Sequence, residues 1–318
     1  LQTGMYRTKH LAEYAALKFV SNVVNVLPQN AAIRLGSAFA PIGFRFNRHR
    51  RIRAQERIGQ VFGDEYSKDD IARIAQDSYR DLVWHTIEIL RARNVSQKWV
   101  QRNGTLNQDD RRRLDDALLL GKGLILAVPH LANWDLAGVM LQQLGYRMTF
   151  IVRRQKNPLF DRHLNEMRRY LGSEVIERDD PMLVRKVIRS LQNGSIIAML
   201  IDLRARQMDL LVPFLGHTAN LARGLGLVSH LASCPVIPSF VTRPKGGRLN
   251  LHCADVILPD KSLSRNEDAE RIMRAALPPL EAAILAHPDQ YFWFNKRWVL
   301  EPVETPSKDV PLKRADAA

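Results

Sequence analysis

Apolar residues recur along this chain with two periods, and their alternation predicts an α/β fold. Short unbroken runs at 124–128, 148–153, 195–201 and 235–241 read as buried strands. Between them, apolar positions return every three or four residues, as on a helix that buries one face. The helices expected on that ground span 136–144, 160–171, 182–191 and 271–287. In the third, Leu183, Val184, Val187, Ile188 and Leu191 make the apolar face, and Asn193-Gly194 stops it. Strands alternating with helices imply a sheet covered on both faces.

The first sixty residues follow a different pattern. Segments 11–27 and 31–46 are apolar, yet Glu13, Lys18, Arg34 and Arg45 interrupt them, so no unbroken membrane-spanning run is present. A basic run follows: Arg48, His49, Arg50, Arg51, Arg53 and Arg57, opposed only by Glu56. Apolar helices ahead of clustered arginines predict an anchor lying in a membrane interface, its arginines on anionic headgroups at the cytoplasmic side. At the other end, 305–318 is polar and charged and reads as a disordered tail. Residues 1–4, ahead of Met5, are read as an addition and set aside from the fold.

Charge narrows the partners. The 318 residues hold 47 Lys and Arg against 33 Asp and Glu, a net charge of +14. Such a surplus favours a polyanion: nucleic acid, anionic lipid or a phosphorylated carrier. Charge alone supports a nucleic-acid binder, since no zinc finger or RNA-recognition signature is present. Cys234 and Cys253 make no disulfide framework, which suits a cytosol-facing protein, and no His/Cys cluster has metal-site spacing. The phosphate-loop, dinucleotide and Gly-x-Ser-x-Gly signatures are absent, and the last absence argues against a serine hydrolase of the α/β-hydrolase type.

The candidate chemistry sits where strand 124–128 ends. Pro129 closes it, and His130-Leu-Ala-Asn-Trp-Asp135 follows. Strand ends of open α/β sheets are where reactive groups are placed. A histidine held by a carboxylate acts as a general base near neutral pH, because the carboxylate fixes the tautomer and stabilises the imidazolium. Arg153 and Arg154, at the next strand's end, suit a phosphate. Asp202 directly follows strand 195–201 and is a second carboxylate in the layer of His130. Gly216 permits a tight turn, and His217, without partners at ligand spacing, reads as structural.

Segment 121–135, with His130, Asn133, Trp134 and Asp135, resembles the signature block of the bacterial lipid A late acyltransferases. It is also similar to that of the phosphatidylinositol mannoside acyltransferases; both fall in the lysophospholipid acyltransferase group with a His-x4-Asp/Glu motif. Supporting blocks are Arg153 ahead of Asn157-Pro158, an acidic position at Asp202, the segment with Phe214, Gly216, Thr218, Ala219 and Gly224, and the aromatic block 291–298. Three positions depart from the family: Leu215 stands for a usual Phe, Asn295 for a usual His, and Asp135 for the Glu common in lipid A enzymes.

The resemblance implies a central mixed sheet flanked by helices with an N-terminal apolar helical anchor. It divides the chain into an anchoring segment (5–58), a catalytic domain (59–300) and a tail (301–318). It implies acyl transfer from an acyl carrier protein or coenzyme A thioester to a hydroxyl of a membrane glycolipid, with no further cofactor and no nucleic acid, at the cytoplasmic face of the bacterial inner membrane. His130 would be the base and Asp135 its orienter, while Asn133, Trp134, Arg153, Arg154, Asp202, Gly216 and Thr218 would meet substrate. A mannoside or lysophospholipid acceptor stays open beside a lipid A precursor-like one, and the non-enzyme alternatives are a catalytically silent membrane scaffold or, on charge alone, a nucleic-acid-binding protein.

Overall fold

A computed structural model describes residues 8–170, 172–244 and 247–302. The expected tail and the first four residues lie outside the described residues. The N-terminal half holds α1 (Thr8–Val26), α2 (Gln29–Phe46), α3 (Arg48–Phe62), α4 (Lys68–Leu90), α5 (Gln97–Asn103), β1 (Gly104–Leu106), α6 (Gln108–Leu119), β2 (Leu124–Val128), α7 (Trp134–Gln143) and β3 (Met148–Val152). There follow α8 (Pro158–Tyr170), β4 (Glu174–Glu177), α9 (Leu183–Gln192), β5 (Ile196–Leu200), β6 (Leu210–Phe214), β7 (His217–Leu221), α10 (Gly224–Ala232), β8 (Val236–Thr242), β9 (Leu249–Cys253) and α11 (Arg265–Ala286).

The four apolar runs become β2, β3, β5 and β8, which lie side by side with β2 and β5 at the centre. Among the described residues the main sheet has the order β1-β9-β8-β2-β5-β3-β4. Its pairs are parallel except β8 with β9, so the sheet is mixed, as expected. Alternate residues of β2 face opposite layers, and both layers are closed. Ile125 and Ala127 pack with Ile58, Ala75, Leu191, Leu225 and Leu280 from α3, α4, α9, α10 and α11. Leu124 and Leu126 pack with Val100, Leu114, Leu136 and Met140 from α5, α6 and α7. A strand buried on both faces cannot alternate apolar with polar, which is why β2 reads as a continuous run.

Several strands escape the apolar-run criterion. β4, Glu174-Val-Ile-Glu, is a charged edge strand, and β9, Leu-Asn-Leu-His-Cys, alternates over only five residues. β6 and β7 form a separate two-stranded hairpin whose turn holds Leu215 at φ 53° and Gly216 at φ 73°. Two successive positive φ values match a type I′ hairpin turn, where Asn-Gly is usual. Leucine in the first place hides the turn from a sequence reader.

Helices α1–α3 pack on the domain through α4. Asn25 Nδ2 donates to the carbonyl of Leu90 at 3.0 Å, Arg91 Nη1 to that of Leu27 at 2.7 Å, and Trp84 Nε1 to Ser37 Oγ at 2.8 Å. Gly36 lies so close to α4 that a Cβ there would stand 2.3 Å from Ile87 Cδ1. Arg57, read as part of the basic run, is instead buried. Its Nη1 donates to the carbonyls of Trp293 (2.5 Å) and Asn295 (2.7 Å), tying α3 to the chain's last aromatic block. No described helix is long and apolar enough to cross a membrane, so a spanning N-terminal anchor finds no support. What these helices do show is an exposed apolar stripe on α2, Leu35, Phe39, Ile42 and Phe46, spaced four, three and four residues apart.

Candidate active site

The register of the central strands builds the site. Val128 on β2 pairs with Leu200 on β5, and two residues beyond each lie His130 and Asp202. Asp202 Oδ1 accepts from His130 Nδ1 at 2.6 Å, and Oδ2 accepts from the His130 backbone N–H at 2.8 Å. Both side chains are buried, at 9% and 1% exposure. Burial works to raise the Asp202 carboxyl, but the charge and two hydrogen bonds of His130 outweigh it and hold Asp202 below the usual carboxylate range. A carboxylate only accepts, so Nδ1 carries a proton and Nε2 is the basic nitrogen. Among the described residues no hydrogen bond engages Nε2.

The chain's closing segment locks this pair from below. Phe292 N–H donates to the carbonyl of His130 at 2.9 Å, and Ala132 N–H to that of Gln290 at 2.8 Å. The Tyr291 hydroxyl is fully buried beside Asp202 without a regular hydrogen bond; burial, then the Asp202 charge, pushes it well above the ordinary phenol range.

Asp135, expected to orient His130, instead accepts from His85 Nε2 at 3.1 Å, while His85 Nδ1 lies 3.3 Å from the carbonyl of Ala132. The reason is local. Asn133 caps α7, its Oδ1 accepting from Leu136 N–H at 3.0 Å, and the first turn of α7 carries Asp135 against α4. Both partners of the His85 ring are acceptors, an arrangement that favours the doubly protonated, doubly donating ring. Burial opposes the charge, but Asp135 and the Ala132 carbonyl hold the pKa above its ordinary value. The clamp spans Ala132, whose φ of 47° costs roughly 1 kcal/mol in a non-glycine residue. Trp134 stands between the two imidazoles, with ring centroids 4.3 Å from His85 and 4.8 Å from His130.

A stabilising group with a raised pKa contributes fully below its unfolded value, about 6.5 for histidine, and loses that contribution as pH rises through the folded value. Asp81, facing the same small pocket, has its carboxyl pushed up to about 7 by burial against the opposing charge of Arg243, so its own contribution is lost earlier, between its unfolded value of 3.8 and about 7. The melting temperature should therefore fall as pH climbs above about 6.5, and His85→Gln should flatten that fall. An unchanged slope, measured by calorimetry from acid to alkaline pH, would remove the imidazolium clamp.

The other expected site residues part company. Asn133 is consumed by its cap and by Glu88, to which its Nδ2 donates at 2.8 Å; Arg243 grips the same carboxylate at 2.6 and 2.7 Å. This buried polar layer braces the loop, and it takes up both polar atoms of the Asn133 side chain. Trp134 lines an apolar cavity with Val128, Pro129, Ala137, Gly138 and Leu141, floored by Met148 and Leu251. Arg153 is exposed at the end of β3, and Arg154 pairs with Glu177 at 2.8 Å. Gly216 and Thr218 sit at the tip of the β6–β7 hairpin, where the Gly216 N–H meets Glu281 of α11 at 3.3 Å and His217 Nε2 donates to the carbonyl of Gln60 on α3 at 2.8 Å. The turn geometry places that tip on structural partners, and none of its hydrogen bonds reaches the His130–Asp202 pair. His85 and Glu88 were not expected from the sequence. Ser78, Asp81, His85 and Glu88 recur every three or four residues along α4, and that polar stripe is the available signal.

Comparison with known proteins gives the family. Residues 5–299 match the family model described as bacterial lipid A biosynthesis acyltransferase. A lipid A biosynthesis acyltransferase of Haemophilus influenzae is 26% identical over 182 residues, 57% of this chain and 55% of that protein. A phosphatidylinositol mannoside acyltransferase of Mycobacterium tuberculosis is 25% identical over 202 residues, 60% of each chain. The lipid A biosynthesis acyltransferase 2 of Shigella flexneri is 23% identical over 176 residues, 55% of each. These matches span under two thirds of each relative. With the family model covering nearly its whole length, this chain belongs to the bacterial lipid A biosynthesis acyltransferase family.

Proposed function

We propose that this protein is a membrane-associated O-acyltransferase that moves a fatty acyl group from an acyl carrier protein or coenzyme A thioester to a hydroxyl of a membrane glycolipid, lipid A precursor-like. The observation that carries the reading is His130, protonated at Nδ1 by its bond to Asp202, with no hydrogen bond on Nε2 among the described residues and the Trp134 ring packed against the imidazole. Nε2 takes the proton of the acceptor hydroxyl as its oxygen attacks the thioester carbonyl. The tetrahedral oxyanion collapses, the C–S bond breaks, and the thiol leaves with the proton held on His130. Asp202 stabilises the imidazolium between those steps, so the substrate alcohol fills the place that serine has in a hydrolase triad. No acyl-enzyme is needed, and burial pushes both thiols, Cys234 and Cys253, up to about 12, which suits neither as nucleophile.

The exposed stripe Leu35, Phe39, Ile42 and Phe46 lies on the membrane rather than through it, with the arginines of α3 at anionic headgroups. The decisive assay supplies the purified chain, in mixed micelles, with a labelled acyl thioester and one acceptor at a time. Transfer to a lipid A precursor is the expected result; preference for a phosphatidylinositol mannoside or a lysophospholipid would move the acceptor, and no transfer to any of them would overturn the reading.

A further inference from the structure

An arginine at the end of β8 takes no part in the acyl-transfer steps above, yet it is built into the same sheet edge as His130. β8 runs beside β2 with Pro238 opposite Ala127, and Arg243 directly follows its last residue, Thr242. The Arg243 side chain is 15% exposed. Its Nη2 donates to both carboxylate oxygens of the buried Glu88, at 2.6 and 2.7 Å. The guanidinium also lies over the Trp84 ring of α4, 6.0 Å from its centroid. Asp81, two turns before Glu88 on α4, is a second carboxyl whose charge this arginine opposes.

Two arms lead from Arg243 to the loop after β2. The first runs through its side chain: Glu88 Oε2 also accepts from Asn133 Nδ2 at 2.8 Å, and Asn133 starts α7. The second runs through its backbone. The Gln290 side-chain amide holds residue 243 on both sides, Oε1 accepting its N–H at 2.7 Å and Nε2 donating to its carbonyl at 2.9 Å. The Gln290 carbonyl in turn accepts the Ala132 N–H at 2.8 Å, and Leu131 bridges to Tyr291. The arms therefore close on Ala132 and Asn133, at the point where Ala132 takes a φ of 47°. A non-glycine residue keeps such a backbone only where its surroundings over-determine it.

We propose that Arg243 is a positioning residue for acyl transfer: holding Glu88 with its side chain and Gln290 with its backbone, it fixes the turn at Ala132–Asn133 and with it the place of His130, two residues earlier. It acts through the loop, since its hydrogen bonds go to Glu88 and Gln290 and not to His130 or Asp202. Arginine suits the place because its planar, rigid fork fixes a carboxylate's orientation, which the freely turning ammonium of lysine does not. The role in acyl transfer rests on the acyltransferase reading; the brace on the loop does not.

Two measurements on the full chain separate these. Removing one partner of a buried ion pair strands the other charge, so the test variant is E88Q/R243M, which neutralises both and keeps an amide oxygen for Asn133 Nδ2. Hydrogen exchange read by mass spectrometry should quicken about tenfold or more in the peptide covering 129–135 and stay at the wild-type rate in β2. Acyl-transfer kinetics should show kcat lower by about tenfold to a hundredfold, with KM for both substrates within about twofold, the signature of a displaced base. R243K, which keeps the charge, should fall between this variant and wild type. Unchanged exchange at 129–135 overturns the brace. Faster exchange with wild-type kcat, or a loss confined to KM, overturns the positioning role. No transfer by wild type overturns the reaction instead, and the exchange result then still decides the brace.

Discussion

Replacing His130 with alanine should cut acyl transfer by at least 10²–10⁴-fold, the contribution general-base catalysis typically makes. The expected loss lies in kcat more than in substrate affinity, because Nε2 meets the acceptor proton in the transition state and little of it in the ground state. The fold should survive. His130 is fixed by backbone bonds, Phe292 N–H to its carbonyl and its own N–H to Asp202, and neither needs the imidazole. Circular dichroism and melting separate loss of chemistry from loss of structure: a folded His130→Ala protein that retains wild-type turnover would end the base assignment. Rescue by added imidazole, entering the space left beside Trp134, would strengthen it.

The place of His130 is legible in the chain because β2 is an unbroken apolar run and Pro129 closes it. A buried strand that stops at proline puts the next residue at the sheet edge whatever surrounds it. The partner of His130 is harder to read. Asp135 lies near in sequence, but the Asn133 cap starts α7 there and turns Asp135 toward His85 on α4. Asp202, 72 residues on, is brought in by the parallel pairing of β2 with β5, a long-range contact that local spacing does not encode. Both strands, and a carboxylate just after the second, are visible in the sequence; that they are neighbours is not. The same limit applies to the arginines. Arg153 stands out beside Asn157-Pro158, whereas Arg178 becomes its neighbour only once β4 is paired with β3. The basic run shows the converse error, because Arg57 has the composition of a headgroup ligand and the position of a buried staple.

Asp202→Asn should be nearly as damaging as loss of His130 itself, with a fall in kcat of about 10⁴-fold, as when the orienting carboxylate of a serine-hydrolase triad is made an amide. The cause is the tautomer. The carboxylate takes the Nδ1 proton at 2.6 Å and the backbone proton of residue 130 at 2.8 Å, one on each oxygen. Asparagine has a single acceptor oxygen. If that oxygen keeps the backbone bond, the amide NH₂ faces Nδ1 and can only donate, which forces the ring proton onto Nε2 and removes the base. The variant also leaves a forming imidazolium without its buried counter-charge. Asp135→Asn makes the contrasting case. It weakens the His85 clamp on the Ala132–Asp135 loop, so its loss should appear in the pH dependence of melting, with a much smaller fall in kcat at neutral pH. Pre-steady-state acyl transfer by the two variants, each shown to be folded, distinguishes the arrangements: equal losses, or a larger one for Asp135→Asn, would return the orienting role to the carboxylate five residues from the histidine.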